Sequence, residues 1–485
     1  MATLYFQYFE STHRILHVPS FWDEYENYWR DPVAATIGLR IKVLLVVAIG
    51  SSFQFHGEEA ANFHDLVRQW ICAAQMWLSG PLEKDRLNIN GIQIHCLVLL
   101  ARQLFSVGGD LVSLSAGTLI NSAMQIGLHR DPKYLPKMSV LQAEVRRRLW
   151  ATILELLVQS SLDSAIPTRI TLNDFDTEAP SNINDDEIDN STTTLPSRDS
   201  SEPVYTQTLI QLVLHKSLPT RLRTLRLLND LHSDLSYQDV IALTSEVTEA
   251  CGIHKSFAKV NGGLEMLPFH QNLLDYLIRR FLLPMHCAFA MKARKNALFH
   301  YSRTVSLETA LAIISTDLDE RFCGLVTIGG GLFREGLMQA AITISIELIA
   351  QAEDQRDSGT LSCMAQSREL LKKAVRRMIS ISLQRLSYGE TSIKSHLFFS
   401  MVLAHVEALE AGASCELKIA QAAVGRLEHC HELLLIQAGG VSTTNIDDPG
   451  LTGMSDGQEG YDLGLNLDLD LDLGMEFFFS DGSSS

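Results

Sequence analysis

No C-x-x-C pair occurs anywhere in the 485 residues. The eight cysteines stand singly, at 72, 96, 251, 287, 323, 363, 415 and 430, so their spacing spells neither a zinc cluster nor a disulfide framework. Isolated thiols of this kind read as small buried hydrophobes. Long apolar runs are missing too. Val43 to Ile49 and Cys96 to Ala101 fall well short of the roughly 18 to 20 residues that cross a bilayer, and no membrane span is expected. The opening residues, MATLYFQYFESTHRI, lack the basic, apolar and small-residue order of a secretory signal, which leads to the expectation of an intracellular protein. Basic residues are outnumbered, 40 Lys and Arg against 57 Asp and Glu, for a formal net charge of −17. A surface that displaces counterions from nucleic acid is normally basic, so independent DNA binding is not expected.

What is present is ordinary globular composition, 46% hydrophobic and 20% charged, over a length that suits a large core. Apolar residues recur at helical spacing and strand-like alternation is scarce outside the tail. This predicts an all-α fold, a large multi-helix bundle or array. The clearest helical stretches are 60–78, 92–105, 111–126, 140–162, 273–291, 307–314, 337–350, 369–386, 393–411 and 416–435. Residues 173–203, polar and acidic, predict a long linker loop that folding alone does not order. It separates an N-terminal helical half, 1–172, from a C-terminal half, 204–437. From 438 to 485 a disordered acidic tail is expected. Val441 to Ser485 holds ten acids and no Lys or Arg, more than half of the net charge.

Ser139 followed by Gln142 spells a capping box ahead of 140–162, where Val145, Leu149, Ile153, Leu156 and Leu157 mark an apolar face. EVRRRLW, 144–150, lies in this helix. Three consecutive arginines fan over about 200° and cannot all meet one groove, which argues against a phosphate grip. Glu144 stands four residues before Arg148, an orientation that supports a helix. Arg146, Arg147 and Arg148 are therefore expected to bond carboxylates and helix ends, with Asp174, Asp176 and Glu178 of the following loop as partners. Trp150 is expected in the core.

In order and spacing, GLHRDP (127–132), EVRRRLWATILEL (144–156), SSLDSAIP (160–167) and DFDTEAPSNINDDEI (174–188) resemble the middle homology region of fungus-specific transcription factors. ILHVPSFWDEYENYW (15–29), IQIHCLVLLARQ (92–103), LLDYLIRRFLLPMHCAFAMKAR (273–294), GLFREGLMQAA (331–341) and SHLFFSMVLAHVEALEAG (395–412) extend the resemblance over roughly residues 13 to 436. Ala165 stands where the family often has Gly, and Cys287 and Ala288 where Arg and Pro are usual.

The resemblance implies a regulator of RNA polymerase II genes, nuclear when active and able to shuttle from the cytoplasm. Its large helical domain would tune an activation segment, in some members in response to a small-molecule effector. In that family DNA is read by an N-terminal binuclear zinc cluster of six cysteines. None is spelled here, so zinc is expected only with an upstream cluster, and DNA contact only through such a segment or a partner protein. No other cofactor and no catalysis are expected, and a homodimer is compatible with the resemblance. The second reading is a soluble helical ligand-binding or scaffold protein derived from such a regulator.

Other motifs are weighed and set aside. GMSDG, 453–457, has the G-x-S-x-G spelling of a nucleophile elbow, but it lies in the acidic tail rather than between a strand and a helix. In EHCHE, 428–432, His429 and His431 point about 200° apart on a helix, and Leu435 stands where a zinc protease needs its second histidine. GGG, 329–331, lacks the Lys and Ser/Thr of a phosphate loop and reads as a helix boundary. Lys372, Lys373, Arg376 and Arg377 form a basic stripe, read as a solvated face. The tail carries more. YDLGLNLDLDLDLGMEFFFS, 461–480, interleaves carboxylates with large apolar groups: Leu467, Asp468, Leu469, Asp470, Leu471, Asp472, then Phe477, Phe478 and Phe479. This is the composition of disordered activation segments that order when a coactivator groove buries them.

Overall fold

The structure is a computed structural model, and it describes residues 1–54, 58–196, 205–230, 235–257, 266–315, 318–358 and 365–439. Among these residues every regular element is helical and no strand occurs. The N-terminal part contains α1 (Ala2–Tyr8), α2 (Val18–Arg30), α3 (Ile37–Ser51), α4 (Glu58–Ser79), α5 (Ile89–Leu104), α6 (Val112–Gln125) and α7 (Val140–Asp163). After the acidic loop come α8 (Leu209–Asn229), α9 (Tyr237–Phe257), α10 (Pro268–Arg279), α11 (Leu282–Lys292), α12 (His300–Ile314) and α13 (Glu320–Ile328). The last four are α14 (Gly330–Ser358), α15 (Ala365–Ser387), α16 (Lys394–Ala411) and α17 (Cys415–Gly439).

Local chemistry sets many of these boundaries. Side chains of Thr36, Asn88 and Asp319 accept from the free amides opening α3, α5 and α13. Ser139 and Gln142 form the reciprocal capping box of α7 that their spacing predicts. Gly412, at φ +63°, ends α16 in the left-handed conformation. The stretch expected as one helix over 273–291 is instead two, α10 and α11. Pro284 has no N–H to give to the carbonyl of Arg280, and its ring crowds that carbonyl, so the chain turns at Arg280 and Phe281 and restarts.

Packing runs along the chain and across it. α3 lies on α1 and α5, α6 on α7, α7 on α8, and α8 on α9. α12 lies against α11 and α14, and α16 against α14, α15 and α17. α5 touches both α7 and α14, and one continuous core holds Leu149 of α7, Leu273 of α10 and Ile344 of α14, so the two helical halves share an interior. Gly331 makes the α5–α14 approach close: a Cβ there would lie 2.5 Å from the carbonyl oxygen of Gln103.

The acidic loop departs from expectation. Its described residues, 173–196, lie against the body, with Thr177, Ile183, Asp185 and Ile188 buried. Ile183 and Ile188 pack on Leu141 and Val145 of α7. Two isoleucines and one bonded carboxylate anchor a segment whose composition alone promises no fixed path. Residues 197–204 and the tail, 440–485, lie outside the described residues, and with them GMSDG and the activation segment Leu467–Asp472 and Phe477–Phe479.

The end of α7 carries a testable strain. Ala165 has φ +51°; its amide bonds Leu162 O and the next amide bonds Ser161 O, the closure of a helix C-terminus that usually has glycine at this place. An alanine is disfavoured in this backbone region. Ala165→Gly is expected to raise stability by about 0.5–1 kcal/mol in urea unfolding, net of the entropy glycine adds to the unfolded chain. A loss of stability would show that the alanine methyl is worth more than the strain.

Buried histidines set the acid side. His13, His95, His270 and His286 are each held down to about 4 by burial; His286 is wedged between Thr244 and Ser302 hydroxyls at 2.7 and 2.9 Å. Each folded value lies below the unfolded 6.5, so the unfolded chain binds more protons between them. Stability is full above pH 6.5 and is lost as pH falls toward 4, by up to about 1.4 kcal/mol per pH unit for each histidine. Glu10, pushed up to about 8 by burial, works in the opposite sense between 4.5 and 8, one group against four. Urea midpoints should therefore fall between pH 6.5 and 4.5; a flat profile there would contradict the burial.

Candidate functional site

α7 is buried on nearly every side, yet one row of it is polar: Glu144, Arg148, Thr152, Glu155, Gln159 and Asp163, at steps of three and four residues. Such steps keep side chains on one face. Two by two, the members of the row meet the acidic loop, α8 and the end of α10, so α7 is where these three are fastened.

At the N-terminal end, Arg148 donates to Glu144 Oε1 at 3.2 Å and to Asp185 Oδ1 at 2.6 Å. Asp185 also takes Arg14 and the amide of Val18, the latter at 2.7 Å, which places its carboxylate at the start of α2. The amide of Asp185 donates to Gln207 Oε1 at 3.1 Å, and its carbonyl lies 3.0 Å from His17 Nε2. One buried aspartate thus ties the α1–α2 turn, α7 and the approach to α8. Burial would raise its carboxyl, but Arg14 and Arg148 outweigh this and hold it below the ordinary carboxylate range.

Farther along, Glu155 receives a two-pronged bond from Arg221 of α8, 2.9 and 2.7 Å, and a third from Gln159 at 2.8 Å. Gln159 also donates to Leu277 O of α10 at 3.0 Å. Arg280 reaches Gln159 at 3.3 Å and pairs with Asp163. The guanidinium groups of Arg221 and Arg280 lie over the rings of Phe281 and Tyr276. Beside Glu155 is a cavity of about 10 Å³, room for one water, lined by Thr12, Gln211, His215 and Arg221 among others. Thr12 Oγ1, Gln211 Oε1 and Arg221 Nε are buried at its walls without a protein partner.

The three arginines of EVRRRLW go three ways. Arg146 caps the end of α6, donating to Ile126 O and Gly127 O at 2.9 Å each. Arg147 forks onto Asp131 at 2.9 and 2.9 Å. Burial opposes ionisation of Asp131, but the fork and the amides of Lys133 and Glu178 prevail and pull it down to about 2. Arg148 turns inward to Asp185. Trp150 is buried, with its ring 5.6 Å from Phe175 and 6.3 Å from His129.

Of the three loop acids expected as partners, one, Glu178, meets an arginine of the row EVRRRLW. Glu178 approaches Arg147 only to 3.9 Å and pairs with Lys133. Asp176 accepts from the Asp131 amide at 2.8 Å and faces Arg130. Asp174 instead closes a local turn with the amide and hydroxyl of Thr171. The physical reason is reach: the loop crosses α7 at Asp185, farther along than the first acids, while Asp131 comes from the turn ahead of the helix.

Both true partners stand in quoted motifs, HRDP and INDDEI. The rest of the row stands in the sequence as polar residues at steps of three and four along a helix whose other buried positions are mostly apolar. The basic stripe is also corrected: Lys372 is buried and meets Glu410 Oε2 of α16 at 2.5 Å, and Arg377 donates to Cys323 Sγ at 3.2 Å. Only part of that face is solvated, because α16 and α13 pack across it. GGG does lie at a helix boundary, between α13 and α14. Among the described residues no group of three or more His, Cys, Asp or Glu is arranged to hold a metal ion. No helix among them is long and apolar enough to cross a membrane.

Fold and site together define an all-α body organised around a buried, ion-paired central helix. Residues 2–249, which contain α1 to α7 and the Asp185 latch, match the fungal specific transcription factor domain. The chain belongs to that family. It is 42% identical over 479 residues to transcription factor asR3 of Sarocladium schorii, an alignment covering 90% of this chain and 56% of that protein. It is 33% identical to transcription factor opdR of Penicillium oxalicum, over 90% of this chain and 58% of the relative. With transcription factor lepE of Aspergillus flavus the figures are 34%, 89% and 54%. The chain thus spans little more than half the length of these relatives. No solved structure matches it.

Proposed function

We propose that the chain regulates transcription of RNA polymerase II genes in the nucleus, with the helical body as regulatory domain and residues 440–485 as activation segment. The observation that carries this reading is the family match over residues 2–249, joined by relatives that are named transcription factors and align with about nine-tenths of the chain. DNA contact comes from a segment outside this sequence or from a bound protein, since the charge balance here is acidic. Zinc enters only with such a reader. Coactivator proteins are the partners of the tail, whose Leu and Phe residues stay solvated among carboxylates until a groove buries them. The body works without catalysis, and a small-molecule effector acts on it, if at all, by shifting the fastening of α7.

The test joins residues 440–485, and separately the whole chain, to an unrelated DNA reader upstream of a reporter. Strong expression from the tail fusion supports the activation role. Expression no higher than the reader alone, for both fusions, would remove it.

A further inference from the structure

Residues 9–17, the turn between α1 and α2, are buried from end to end although most of them are polar. Glu10 takes the Tyr5 hydroxyl at 2.6 Å and the Leu16 amide at 2.8 Å, Ser11 lies 2.8 Å from His270 Nε2, and Arg14 holds Asp185. Thr12, 1% exposed, has no partner for its hydroxyl among the described residues. It lines the small cavity beside Glu155, and so do Gln211 and Arg221, each with one buried polar atom left over. Hydrogen-bond chemistry fixes what each of these atoms needs. Gln211 Nε2 donates to Arg148 O at 2.8 Å and to Thr152 Oγ1 at 2.9 Å, so the carbonyl oxygen Oε1 is the atom left wanting a donor. Arg221 turns Nη1 to Glu155 and Nη2 to Glu155 and the Leu214 carbonyl, so its Nε–H is left wanting an acceptor. Buried polar groups are rarely left unmet, and three in one small space point to a missing partner.

We propose that this cavity is a binding site for one water molecule, which accepts from Arg221 Nε, donates to Gln211 Oε1 and bonds the Thr12 hydroxyl as its third partner. The volume of about 10 Å³ admits a single molecule of that size and nothing larger. The chemistry of the walls selects which one. A monovalent cation would meet the Arg221 guanidinium, and chloride, an acceptor only, would meet Gln211 Oε1 and stand beside the Glu155 carboxylate. Water both gives and takes, and three partners are the usual number for a buried one. Through it the α1–α2 turn gains, at Thr12, a hydrogen-bonded tie to α8. That tie lies beside the Glu155–Arg221 pair that fastens α8 to α7.

Two measurements on the full chain test this. A crystal structure at a resolution that shows ordered water should place one molecule in the cavity, within hydrogen-bond distance of all three atoms. Thr12→Val keeps the shape of the side chain and removes the hydroxyl, so the sign of its effect separates a wet cavity from a dry one. With water bound, the variant loses a hydrogen bond, and the unfolding equilibrium constant measured in urea should rise about fivefold. In a dry cavity the hydroxyl is an unmet polar group in the interior, and a methyl in its place would stabilise the chain. An empty cavity would overturn the proposal, and so would a water that leaves Gln211 Oε1 or Arg221 Nε unmet. An unfolding constant that Thr12→Val leaves unchanged or lowers would do the same.

Discussion

Glu155→Ala is expected to lower unfolding free energy by about 3–5 kcal/mol, a large part of what a domain has in reserve. Glu155 and Arg221 are almost wholly buried and share two short bonds, with Gln159 as third partner. Removing the carboxylate leaves a guanidinium in the core, with only the Leu214 carbonyl at 2.7 Å and the Phe281 ring to receive it. Burial pushes the Glu155 carboxyl upward, and Arg221, assisted by the Gln159 hydrogen bond, more than offsets this and keeps it ionised. The comparison that isolates the effect is Glu155→Leu with Arg221→Met, which removes both charges and keeps the volume. The double variant should unfold within about 1 kcal/mol of the parent, or above it, because a buried pair recovers little more than its desolvation cost. Urea unfolding of the three proteins decides the matter. A single variant as stable as the parent would mean that Arg221 finds another partner or water.

Asp185→Ala is the second large change, and its signature is regional. It leaves the buried Arg14 without its carboxylate and Arg148 with Glu144 alone, so a global loss of about 3–5 kcal/mol is expected. The same carboxylate caps α2 and anchors the acidic loop, so amide exchange should quicken first at Val18 and across 181–188. A local loss of about 3 kcal/mol corresponds to roughly 100-fold faster exchange there. Protease sites in the loop should open in parallel. Asp185→Asn, which keeps size and one acceptor, should fall between the two. Exchange that rises evenly over the whole chain would mean that Asp185 serves the body as a whole and that the loop has no separate attachment.

These two residues show why the site was only half legible beforehand. The row from Glu144 to Asp163 is written at helical spacing, and Asp131 and Asp185 stand in the very motifs that carry the family resemblance. The choice of Asp174 and Asp176 as arginine partners followed nearness in sequence to α7, and nearness along a loop says little about where the loop crosses a helix. Short or low-amphipathicity helices were missed for a related reason. α1 is seven residues long, α3 is apolar on nearly every side, and α8 contains Pro219. None of the three shows a clean one-sided pattern, because each is buried broadly or interrupted.

By itself the sequence determined the helical class, the capping box of α7, the split between a folded body and an acidic tail composition, and the family resemblance. All of these depend on chemistry within about four residues or on motif order. Only the tertiary structure decided that Arg14 meets Asp185 across 171 residues, that Arg221 meets Glu155 across 66, and that α17 leaves Leu417, Leu427 and Leu435 exposed. Helical periodicity names the faces of each rod. Which face meets which, and which charge finds its counterpart in the interior, depends on how all the rods pack at once, and no local pattern encodes that.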